Sequence, residues 1–93
     1  MLFEVEYHPQ VKEKDLLAIP KNMRERIRKA IEVRLLGDPV SAGKPLRQSL
    51  KGHRKMRVGD YRVIYRVNED AKKIFIFIIG NRKEVYLKVF KRF

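Results

Sequence analysis

The chain has 93 residues and no cysteine, and its 23 Lys and Arg outnumber 11 Asp and Glu to give a net charge of +12 at neutral pH. That length holds one domain, 1–93, with one modest core, and an apolar fraction of 44% with five Phe and four Tyr excludes a disordered chain. Without cysteine there is no disulfide framework or thiolate metal site, and no apolar run reaches the roughly 18 residues of a membrane span.

The N-terminus, MLFEVEYHPQ, has an acidic residue at position 4 and no basic leader, so no secretory signal and no membrane partner are expected, and the cytoplasm is the expected compartment. Excess positive charge attracts polyanions: RNA, DNA, an anionic surface or an acidic protein. A thermophile-type surface rich in ion pairs would sit nearer charge balance, whereas here bases outnumber acids two to one.

In chain order, LFEVEY (2–7) alternates and predicts a strand. His8-Pro9 breaks it and starts a short helix running to about Ala18, which Ile19-Pro20 ends. KNMRERIRKAIEVRLLG predicts a longer helix whose apolar stripe is Met23, Ile27, Ala30, Ile31 and Leu35. Asn22 and Glu25 have capping-box spacing, Gly37 is placed as a left-handed C-cap, and Arg24, Arg28 and Arg34 read as a solvated face. Positions 38–52 predict a loop and a short strand near 45–50. HRKMRV (53–58) and YRVIYRV (61–67) then predict a hairpin around Gly59-Asp60, with glycine supplying a positive φ. After a turn at 68–70, KIFIFIIG (73–80) is apolar on both faces, as a covered central strand requires. NRKEVYLKVFKRF predicts a short helix or irregular cap. The fold class is α+β: an N-terminal strand, a helical hairpin, then a mainly antiparallel sheet.

The chemistry is carried by cations. No carboxylate pair, phosphate loop or metal-ligand cluster is present, so no cofactor or metal is expected. His8 beside Pro9 reads as a capping or surface residue. Strand alternation points His53, Lys55 and Arg57 one way and Arg54, Met56 and Val58 the other. Across the hairpin, Arg62 and Arg66 fall on the face of Lys55 and Arg57, at strand spacings of about 4.8 Å. Like charges so placed repel, and an anion bridging them explains the arrangement better than solubility does. Arg82 follows the last strand and Tyr86 lies one turn beyond it.

LKGHRKMRVGDYRVIYRV followed by IFIIGNRKEVY resembles the RelE/ParE superfamily of toxins from toxin–antitoxin modules, and with the N-terminal strand and helices the likeness covers nearly the whole chain. A RelE-like member implies a type II toxin that cuts mRNA in the ribosomal A site as a metal-independent endoribonuclease, with a cognate acidic antitoxin as its second partner. The RelE pattern implies Lys55, Arg62, Arg82 and Tyr86 as catalytic residues, and His53, Arg54, Arg57 and Arg66 are expected as RNA-binding. The chain departs from close RelE relatives at His53, where a second lysine is common, and His53 is an alternative proton-transfer group. A ParE-like member implies instead a non-catalytic inhibitor of DNA gyrase. A plain RNA-binding module is the third reading.

Overall fold

The structure is a computed structural model that describes residues 2–92, the side chain of Ser49 excepted. Strand β1 (Glu4–Tyr7) is followed by helical turns that begin at Pro9, widen over Val11–Asp15 and tighten over Leu16–Ala18. Helix α1 (Lys21–Ala30) continues into a wider turn, Ile31–Leu35, where the Leu36 amide reaches back five residues to the Ile31 carbonyl at 3.1 Å. Then come α2 (Pro39–Ala42), β2 (Lys44–Pro45), a tight turn at Gln48–Leu50, β3 (Arg54–Val58), β4 (Tyr61–Asn68), β5 (Lys73–Asn81) and α3 (Val85–Arg92). Phe93, the end of the C-terminal segment read from sequence, lies outside the described residues.

The sheet order is β1-β5-β4-β3-β2, antiparallel except for the parallel β1–β5 pair. The α+β reading therefore holds, and β5 is the covered central strand its composition predicts. One face packs Ile74, Ile76, Val63 and Tyr65 under the helical layer of Ile27, Ile31 and Leu35. The other packs Ile64, Phe77 and Ile78 under Val85 and Val89 of α3. The β4–β5 register slips between Ile64 and Tyr65, leaving Phe77 as the extra residue of a bulge. Phe77 and Ile78 thereby both serve the α3 layer.

Four local expectations are corrected. Asn22 and Glu25 form no capping box: Pro20 is the N-cap, no side chain caps α1, and Glu25 instead pairs with Arg28 at 2.8 Å. Gly37 is not a left-handed cap; among the described residues the positive-φ glycines are Gly52 and Gly59, the latter at 57° in the predicted hairpin turn. The strand expected near 45–50 is the shorter, earlier β2, preceded by α2, whose Asp38 cap accepts the Ser41 amide. The last strand runs one residue past Gly80, to Asn81.

Candidate nucleic-acid interface

The hairpin register sets the site. Arg57 lies directly opposite Arg62, and Lys55 opposite both Ile64 on β4 and Lys44 on β2. Directly paired residues share a face, so Lys44, Lys55, Arg57 and Arg62 all lie on the face that α3 covers further along. Arg62 is held at the hairpin: its Nη1 donates to the carbonyls of Gly59 (3.0 Å) and Tyr61 (2.9 Å). The Arg82 amide donates to the Asp60 carbonyl of the same turn at 2.8 Å. The positive-φ turn at Gly59-Asp60 is thus the anchor common to two of the four residues expected to be catalytic.

Tyr86 enters from the first turn of α3. The Lys55 ammonium sits over its ring, 5.8 Å from the centroid. A buried ion pair at the far end of α3 fixes the helix. Arg92 donates to both carboxylate oxygens of Asp15 at 2.6 and 2.8 Å, and to the Phe77 carbonyl at 3.1 Å. Asp15 also accepts the Ile79 amide at 2.9 Å. These bonds satisfy the edge of β5 beyond the end of β1, where an unpaired strand would otherwise lie exposed.

The other expected residues separate. Arg66 is exposed four residues along β4 from Arg62, on the same face. His53 is packed against Phe77, ring centroids 5.5 Å apart, and both burial and the Arg66 charge push its pKa down. Arg54 lies on the opposite face, where its guanidinium donates to the carbonyls of Val40 and Gly43. It braces α2 rather than joining the basic surface, and Tyr65 does the same from the core, donating to the Pro39 carbonyl at 2.7 Å. His8 accepts the Gln10 amide at Nδ1 (3.1 Å), the capping role read from its place beside Pro9.

Two cations at the site escape a sequence reading. Arg34, taken from its helical spacing as solvated, instead crosses to the free edge of β3 and donates to the carbonyls of Arg57 (3.0 Å) and Ala42 (3.3 Å). With Lys44, Lys55, Arg57 and Arg62 it lines an open cavity of about 270 Å³ whose lining contains no acidic residue. A helix residue meets a strand edge 23 positions away only through the tertiary fold, so periodicity gives no sign of it.

Residues 5–86 match the sequence profile of the ParE toxin of the type II toxin–antitoxin system parDE. Over 73 residues the chain is 33% identical to the toxin RelE of Mycobacterium tuberculosis, an alignment spanning 78% of this chain and 75% of that one. The chain belongs to the RelE/ParE toxin superfamily of type II toxin–antitoxin systems. The fold of this RelE/ParE-family toxin is shared with solved structures. The toxin–antitoxin complex RelBE2 of M. tuberculosis gives a TM-score of 0.81 at 26% identity, covering 88% of this chain and 100% of that one. The archaeal RelE–RelB complex of Pyrococcus horikoshii gives 0.70 at 31% identity, covering 88% and 97%. The isolated E. coli RelE toxin, at 20% identity and a TM-score of 0.69, shares the fold.

Proposed function

We propose that this toxin is a ribosome-dependent endoribonuclease that cleaves mRNA in the A site. The observation that supports it most is the meeting of the Lys55 ammonium with the Tyr86 ring beside the Arg57–Arg62 pair. In the proposed reaction the 2′-oxygen attacks the adjacent phosphorus, its proton passes to a base, and the P–O5′ bond breaks. The departing 5′-oxygen then takes up a proton. The products are a cyclic phosphate and a 5′-hydroxyl, and the scheme uses no metal. Arg62 and Arg82 suit the phosphorane-like state, because a guanidinium fork meets two oxygens at once and stays charged. Tyr86 and Lys55 are the candidates for proton transfer; His53, enclosed against Phe77, is the weaker one. Arg57 and Arg66 are proposed to hold flanking RNA. Arg54 is committed to α2 and drops out of that set.

A cognate antitoxin is the second proposed partner, since the M. tuberculosis and P. horikoshii relatives were solved as toxin–antitoxin complexes. A +12 domain with Leu17, Val33, Leu87 and Phe90 exposed suits an acidic segment that folds over it. Among the described residues no helix is long and apolar enough to cross a membrane.

The ParE description of the matched profile makes gyrase inhibition the second reading. One experiment separates them: the protein is added to a translation reaction, message ends are mapped by primer extension, and gyrase supercoiling is assayed in parallel. Codon-phased cuts with supercoiling intact are expected. Intact message with supercoiling blocked selects the second reading instead.

A further inference from the structure

From the cavity at the open edge of β3 we infer a second phosphate subsite, formed by Arg34, Lys44 and Arg57, that receives the RNA phosphate next to the scissile one. The inference rests on reading the basic face as an RNA surface, and it adds Arg34 and Lys44, which neither strand alternation nor helical spacing assigns to that surface.

Three observations carry it. First, β2 stops at Lys44–Pro45, so the ladder on β3 ends at Arg54 and Lys55 and the edge beyond is open. The Arg34 guanidinium fills the gap by bridging the Arg57 and Ala42 carbonyls, and this pair of bonds fixes a permanently charged group beside the cavity. Second, the wall opposite is rigid. Tyr65 holds the Pro39 carbonyl, and Arg54 holds those of Val40 and Gly43. A Cβ on Gly43 would collide with the Lys55 carbonyl and the Tyr65 hydroxyl, so only glycine lets the wall lie this close to β3. Third, five cations and no carboxylate line a space of about 270 Å³. Elsewhere some arginines meet acidic partners: Arg28 takes Glu25 and Glu32, and Arg92 takes Asp15. Here no carboxylate lines the space to offset the five positive charges, so an entering anion gains from all of them.

The site is placed to act with the proposed centre. Lys55 and Arg62 line the cavity, and Lys55 also covers Tyr86. A strand lying across the face would therefore pass from Tyr86 over Lys55 and Arg62 to Arg57, Lys44 and Arg34, with successive phosphates over successive cation groups. Phosphate contacts of this kind set register without reading sequence.

The test is fluorescence-anisotropy binding of a short 2′-O-methyl RNA oligonucleotide, which cannot be cleaved, across a KCl series. Wild type is compared with Arg34→Gln/Lys44→Gln and with a control of equal charge loss on α1, Lys21→Gln/Lys29→Gln. The expected result is that the Arg34/Lys44 pair flattens the slope of log affinity against log salt by about 0.7, equivalent to roughly fivefold weaker binding at 0.1 M salt, while the control changes less. Lys44→Gln alone, which touches none of the bonds bracing α2, is decisive should the pair fold poorly. Equal losses in both double variants, or no binding by wild type, overturn the subsite. If the message stays intact on the ribosome while the binding difference persists, the nuclease reading falls and the subsite stands. Codon-phased cuts with no difference between the double variants do the reverse.

Discussion

At the scale of single residues, the face on which a charge lies decides more than its presence. Arg54 and Lys55 are adjacent, yet one braces α2 through backbone carbonyls and the other reaches Tyr86. His53 shows burial overriding a favourable position. Burial and the Arg66 charge lower its pKa, so the folded state prefers neutral imidazole. The unfolded chain then binds more protons as pH falls through about 6.5, and stability falls with it; above that pH the contribution is fully present. Thermal melts across this range should show the wild-type midpoint dropping on acidification, with His53→Gln losing part of that drop. A variant with an unaltered acid limb would show that His53 is not the group involved.

At the scale of elements, α3 positions Tyr86 and is itself held by a contact 77 residues apart in sequence. Arg92 and Asp15 are both nearly inaccessible, and removing one partner leaves a buried charge unpaired, at a cost of about 3–5 kcal/mol. Arg92→Ala should lower the melting temperature and expose α3 amides to hydrogen exchange before those of β4. If α3 kept its protection, Val85 and Val89 alone would suffice to seat it.

The same scale shows what the sequence made legible. Period-two alternation in 53–67 placed Lys55, Arg57 and Arg62 together, because strand pairing is local and the hairpin turn is marked by Gly59. The two-faced apolar run at 73–80 marked the central strand for a similar reason. Spacing motifs failed where tertiary contacts compete: Glu25 took Arg28 rather than the helix start, and Arg34 took strand-edge carbonyls rather than water. The Asp15–Arg92 pair has no local signal at all.

At the scale of the whole molecule, a charge of +12 attracts any polyanion, so affinity for RNA alone cannot distinguish a nuclease from a basic surface. What distinguishes them is whether one cation matters out of proportion to its charge. The most direct measurement is the rate of message cleavage on stalled ribosomes by wild type, Arg62→Ala and Arg28→Ala, the last removing an equal charge from an exposed face of α1. A donor aimed at the transition state predicts a loss on the order of 10²–10³ for Arg62→Ala and near-normal cleavage for Arg28→Ala. Equal, small losses in both variants would contradict a phosphodiester site at the hairpin.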